Sequence, residues 1–202
     1  MNQQRQSTPS DEELLDRARA GDHGAFRIIV ERYQSEVART VVGMLGVSQQ
    51  VDDVAQEVFI QLYRSLDRFR GESSLATYLK RIAINRSLDA LRQRKRFMSR
   101  FLSRDSDDTL PEPVADNDSS IETRERNEAV HRAIQALPEK HRAVAVLRLI
   151  DERSTEETAK ILDLPYGTVL SRLSRAQKKL QTLLAPHMGA AIGVDSREEE
   201  SI

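Results

Sequence analysis

The chain has no cysteine and no tryptophan, and aromatic residues make up only 4 % of its 202 positions. Without cysteine there is no disulfide framework and no thiolate metal site, which suits a reducing cytoplasm. With so few rings the core must be aliphatic. No apolar run approaches the ~20 residues a membrane helix needs. The first ten residues lack the apolar segment of a secretory signal, so no membrane insertion is expected. Catalytic signatures are missing as well. The four histidines, His23, His131, His141 and His187, are scattered, and none forms an H-E-x-x-H pair. There is no P-loop, G-x-G-x-x-G or G-x-S-x-G. The paired acids lie on charged stretches with no apolar cleft to raise a carboxyl pKa, so general acid–base chemistry has no setting. The reading is of a binding protein, not an enzyme, with no cofactor and no metal.

The formal net charge of −1 hides strong segregation. Residues 80–104 hold nine cations against Asp89 alone, a net of +8, while residues 105–128 hold nine acids against Arg124 and Arg126, a net of −7. Blocks of this kind point to polyanion contact at one place and solvated or partner-facing acid at another.

Helical periodicity runs through most of the chain. Ser10 with Glu13 is a capping-box signature for a short helix that stops at Gly21, and Asp22 can cap the next. There Phe26, Ile29, Val30, Tyr33, Val37, Val41 and Met44 recur at spacings of three and four, with Gly46 as a stop. A third helix, over about 49–66, buries Val51, Val54, Val58, Leu62 and Leu66 and gathers Asp52, Asp53, Gln56 and Glu57 on its other side. That patch is either a solvated face or a docking surface. Residues 67–74 read as a loop. It leads into a fourth helix with Leu75, Tyr78, Leu79, Ile82, Ala83 and Leu91 inward and Lys80, Arg81, Asn85, Arg86, Arg92 and Arg94 outward. Cations with an amide beside a loop carrying Phe69 could hold phosphates and a displaced base; a solvated basic face fits equally.

From Phe97 to Ser120 periodicity disappears among Asp, Ser, Pro and Asn, as in a flexible linker. Beyond it come a helix ended by Pro138 and another holding Ala143, Val144, Val146, Leu147 and Ile150. Residues 154–184 then read as two helices around a tight turn. Ser154 and Glu157 form a second capping box, and Asp163-Leu164-Pro165 breaks the first helix. In the second helix Val169, Leu173, Ala176 and Leu180 share a face; Ser171, Arg172, Ser174, Arg175, Lys178 and Lys179 cover the rest. This is either a helix-turn-helix shaped for the major groove or a helical hairpin with a solvated basic face. The expected fold is all-α, two small helical lobes at 10–97 and 121–185, a flexible acidic linker at 98–120 and a flexible tail at 186–202.

Several runs occur together in order. Glu13-Leu14, Ala20-Gly21-Asp22 and Ala25-Phe26 precede Asp52-Asp53-Val54-Ala55-Gln56-Glu57-Val58-Phe59, a D-x-x-Q-E-x-F run. Tyr78-Leu79-Lys80-Arg81-Ile82-Ala83-Ile84-Asn85 follows, then Asp89-Ala90-Leu91-Arg92. The second lobe adds Leu137-Pro138, Arg142, Gly167-Thr168-Val169, Ser171-Arg172-Leu173 and Arg175-Ala176. In these runs the chain resembles, from Ser10 to Leu184, bacterial sigma-70 family RNA polymerase sigma factors of the extracytoplasmic function (ECF) group. The first lobe corresponds to their region 2 and the second to their region 4.

The resemblance implies a cytoplasmic bacterial protein that binds core RNA polymerase, through its β′ and β subunits, and promoter DNA. Asp52, Asp53, Gln56 and Glu57 become the polymerase-docking candidates. Phe69, Ser73, Ser74, Lys80, Arg81, Asn85 and Arg92 become candidates for the −10 element. Thr168, Leu170, Ser171, Arg172, Ser174, Arg175 and Lys178 become candidates for the −35 element. It implies no bound metal or cofactor, and an anti-sigma factor is a candidate partner. Three positions depart from the family pattern: Tyr78 stands for tryptophan, Asp163 for the turn glycine, and Leu170 for a lysine or arginine. The alternative is a stand-alone helix-turn-helix regulator.

Overall fold

The computed structural model describes residues 9–101 and 121–188, and all regular structure among them is helical. The first lobe comprises α1 (Asp11–Arg19), α2 (His23–Leu45), α3 (Gln50–Arg64), a 3-10 turn (Leu66–Arg68) and α4 (Leu75–Phe101). The second comprises α5 (Ile121–Gln135), α6 (Glu139–Ala145) continued by a π turn (Val146–Ile150), α7 (Thr155–Leu162) and α8 (Tyr166–Met188).

Local chemistry sets the boundaries. Ser10 Oγ accepts the Glu13 N–H at 3.2 Å, but the expected box forms in this direction only. Gly21, at φ +90°, turns the chain so that Asp22 can accept the Ala25 N–H at the start of α2. Arg17 bonds the same carboxylate and, with that N–H, holds its pKa below the usual range. Gly46, at φ +74°, ends α2. The third helix stops at Arg64, earlier than the apolar spacing predicts, and Leu66 is buried from the 3-10 turn instead. Helix α4 begins on a cap the sequence reading missed: Ser74 Oγ accepts the Thr77 N–H at 3.2 Å. It runs past the expected boundary at 97, and α8 runs through Pro186 to Met188. The expected linker and tail otherwise lie outside the described residues.

The core is aliphatic as expected, with Leu14, Ile29, Val41, Met44, Val58, Leu62, Leu79, Ile84, Val144, Leu147 and Ile161 all fully enclosed. Residues 143–147 are buried on every side, since α6 and its π turn lie between α2 and α8.

The two lobes pack against each other, α2 on α5, α6 and the π turn, and α4 on α7. Gly43 permits the closest approach: a Cβ there would sit 3.0 Å from both Val146 methyls and 3.3 Å from Ile150 Cδ1. The last carbonyls of α2, which no intrahelical N–H can reach, are bonded from across the joint. Gln135 Nε2 donates to Gly43 O at 2.9 Å, and Arg142 Nη1 donates to Met44 O at 2.7 Å. The same guanidinium donates to the Gln135 and Leu137 carbonyls.

Candidate polymerase-docking and promoter-binding surfaces

Helix α3 presents Asp52, Asp53, Gln56 and Glu57 together, all exposed, because Val51, Val58, Phe59 and Leu62 take its other face into the core. Arg86 of α4 approaches Glu57 to 3.5 Å and donates to Gln61 Oε1 at 2.9 Å, so the patch is braced from behind. Two exposed apolar side chains, Ile60 and Tyr63, continue it toward the C-terminus. The spacing Gln56, Ile60, Tyr63 was available in the sequence, but stripes were read there as core.

The loop 69–74 is fixed from both ends. Arg19 of α1 donates through Nε to Leu66 O at 3.0 Å and through Nη2 to Phe69 O at 2.6 Å. The Phe69 and Tyr78 rings pack with centroids 4.9 Å apart, and the Tyr78 hydroxyl donates to Ser65 Oγ at 3.0 Å. Tyrosine in place of tryptophan thus supplies a hydrogen-bonded wall. Phe69 is half-buried on that wall and does not project freely. A cleft of about 360 Å³ opens beside it, lined by Phe69, Ser73, Tyr78 and the cations Arg68, Arg70, Arg81 and Lys160, with Glu72. Ser74 is the helix cap described above.

Arg81, Asn85 and Arg92 are exposed on one side of α4. Lys80 corrects the sequence pattern, which puts it on the outward side with them: its side chain is only 3 % exposed. Its Nζ lies 3.0 Å from Oδ2 of Asp151, whose side chain is wholly enclosed, and 3.4 Å from Glu36. Thr40 Oγ1 donates to the same Asp151 oxygen at 2.7 Å. The π turn brings Asp151 here, with the Asp151 N–H reaching back five residues to Val146 O at 2.9 Å. Arg153 holds Glu36 at 3.2 Å, and Arg81 donates to Lys160 O at 2.6 Å. In this closed arrangement Lys80 and Arg81 are engaged by the second lobe.

The second lobe holds a helix-turn-helix. Ser154 and Glu157 complete their capping box, at 3.0 and 2.8 Å. Bonds from the Ser154 backbone, then from its hydroxyl, lower the Glu157 pKa. Asp163 takes the left-handed conformation (φ 51°, ψ 55°) that the usual glycine would adopt more cheaply. Val169, Ala176 and Leu180 face inward. Leu170, Ser171, Ser174, Arg175 and Lys178 are exposed, while Thr168 and Arg172 are half-buried.

His141 of α6 lies near this cationic face. Burial, then Lys140, Arg175, Arg172 and Lys179, push its pKa below the ordinary histidine value. The folded state therefore resists a proton that the unfolded chain accepts, and stability falls as pH drops below about 6.5. Urea unfolding at pH 7.5 and 5.5 should show a smaller acid loss for His141→Gln than for the parent; equal losses would remove His141 as the cause. Among the described residues no group of three or more His, Asp or Glu could hold a metal ion, and no helix is long and apolar enough to cross a membrane.

Comparison with known proteins matches the family model for Sigma-70 region 2 at residues 29–97 and that for Sigma-70 region 4 at 127–180. The ECF RNA polymerase sigma-E factor of Escherichia coli (strain K12) is 38 % identical over 184 residues, covering 88 % of this chain and 95 % of that protein. This chain belongs to the ECF group of sigma-70 family sigma factors. The RNA polymerase sigma-H factor of Pseudomonas aeruginosa is 35 % identical over 182 residues, covering 87 % of this chain and 94 % of its own length. Among solved structures, that of CnrH in complex with the cytosolic domain of CnrY matches 88 % of this chain and 99 % of its own, at 26 % identity and a TM-score of 0.64. As a sigma factor the chain is a transcription initiation factor that binds core RNA polymerase and promoter DNA. That selects the polymerase-subunit reading over the stand-alone regulator. The α3 patch and the cleft beside Phe69 fall within region 2, and the helix-turn-helix falls within region 4.

Proposed function

We propose that this sigma factor divides its tasks by surface, in lobes bounded near residues 10–97 and 121–185. Asp52, Asp53, Gln56 and Glu57, extended by Ile60, dock on the β′ subunit of core polymerase. Phe69, Ser73, Arg81, Asn85 and Arg92 hold the −10 element, with Ser74 shaping the loop and Lys80 joining once the lobes part. Thr168, Leu170, Ser171, Arg172, Ser174, Arg175 and Lys178 read the −35 element. The protein works in the bacterial cytoplasm without chemistry of its own. The observation that carries this reading is the pairing of an acidic, exposed α3 face with an acid-free, cationic α8 in one chain. One face suits a protein partner and the other a polyanion.

Truncating two charged groups within an interface costs about 1.5–3 kcal/mol in all. Asp53→Ala with Glu57→Ala should therefore weaken core polymerase binding by roughly ten- to a hundredfold with unchanged helicity by circular dichroism. Unchanged core affinity would show that the docking surface lies elsewhere. The closed packing is, in this reading, the resting form. Lys80 and Arg81 cannot hold both region 4 and DNA. CnrH is a relative captured with the cytosolic domain of CnrY, and an anti-sigma partner of this chain would act by holding the closed form.

A further inference from the structure

The recognition helix α8 exposes two large apolar side chains at its start, Tyr166 and Leu170, which are 52 % and 45 % exposed. Four residues apart, they stand one turn above the other, and Ser174 continues the line. The buried seam of Val169, Ala176 and Leu180 lies about a quarter turn round the helix, which leaves this ridge exposed at the edge of the packed face. Gly167 lies within the same turn, with nothing within 4 Å of where a Cβ would be, and the backbone there is open to close approach.

What surrounds the ridge identifies its occupant. Arg172, Arg175, Lys178 and Lys179 lie along α8, and the helix contains no acid. An apolar ridge on a helix whose charged residues are all cations fits a polyanion that also presents methyl groups. The major groove of duplex DNA does this at the C5 position of thymine. Leu170 has neither donor nor acceptor, so it cannot read a base by hydrogen bonding. The Ser171 hydroxyl is also unavailable as a donor, since it bonds Thr168 O at 3.0 Å. Ser171 can still accept a hydrogen bond, and Ser174, Arg175 and Lys178 supply donors on the exposed face.

We propose that Leu170, flanked by Tyr166, reads a thymine methyl in the −35 element, so that the promoters of this sigma factor carry a thymine opposite the first turns of α8. The proposal rests on the assignment of α8 as the −35 reader and adds to it the base that this chain selects.

The test uses holoenzyme assembled from the full chain and core polymerase. The promoter is one identified by sequencing transcripts after overexpression. Each thymine of its −35 segment, on either strand, is replaced singly by deoxyuridine, which lacks only the methyl group. One position should weaken binding about fourfold, the worth of one buried methyl group. The loss should vanish in Leu170→Ala, a substitution at an exposed helical site that alanine tolerates well. Indifference to deoxyuridine at every position, or an equal loss in Leu170→Ala, would overturn the proposal. Scrambling the whole −35 segment separates the two layers. If scrambling abolishes binding while deoxyuridine has no effect, only the methyl reading fails. If scrambling has no effect, the assignment of α8 fails with it.

Discussion

Asp151→Ala is expected to part the two lobes. Asp151 is enclosed and receives Lys80 at 3.0 Å and Thr40 at 2.7 Å, so its removal leaves an ammonium with only half-exposed Glu36 as counter-charge. Breaking a buried pair by deleting one member typically costs about 3–5 kcal/mol, whereas the intact pair adds little. Glu36 keeps the loss near the lower end, about 3 kcal/mol, roughly a hundredfold shift toward the open form. Small-angle scattering should report a longer particle for the variant. The parent should stay compact in high salt, because a dry pair is little screened. Asp151 lies outside the proposed DNA-binding and docking residues, so the variant should also start transcription at lower concentration. An unchanged radius of gyration would show that the pair does not govern closure. Replacing both members by apolar residues, Lys80→Met with Asp151→Leu, should keep the lobes together.

Gly43→Leu tests the joint by volume instead of charge. Glycine inside a helix is less stable than alanine by about 0.5–1 kcal/mol, so a side chain here favours α2 itself. Across the joint the same side chain meets both Val146 methyls and Ile150. Overpacking of this kind costs about 1–3 kcal/mol. The two effects are read separately: scattering should show opening while the helical content of α2 is kept. Val146→Ala should restore closure in the Gly43→Leu background, since it removes the two methyls in the way. Failure of that rescue would mean that the opening has another cause.

Much of the fold was legible because its punctuation is local. Ser10, Asp22, Gly46, Pro138 and Ser154 act within three or four residues of themselves, and the apolar stripes of α2 and α3 need only a period. The α3 acid patch and the outer face of α8 were visible for the same reason. Lys80 was not. Its neighbours Leu79 and Ile82 mark the core face, so a lysine beside them reads as outward, and its partner is Asp151, 71 positions along the chain. The resemblance noted Arg142 without a role, since its acceptors are main-chain carbonyls and the Gln135 side-chain oxygen, which no sequence pattern marks. Arg19 was equally silent, because the loop it fastens is 47 to 50 residues away.

The way Arg142 is bonded makes the joint uneven in its tolerance of genetic change. On the α2 side the acceptors are the main-chain oxygens of Gly43 and Met44, so a substitution at Met44 keeps its oxygen in place. On the other side the Arg142 guanidinium donates to Met44 O across the joint and to the Gln135 and Leu137 carbonyls within its own lobe, in a geometry that lysine cannot reproduce. Drift at Met44 is therefore buffered, while one codon in α6 carries the mutational load of the Met44 contact.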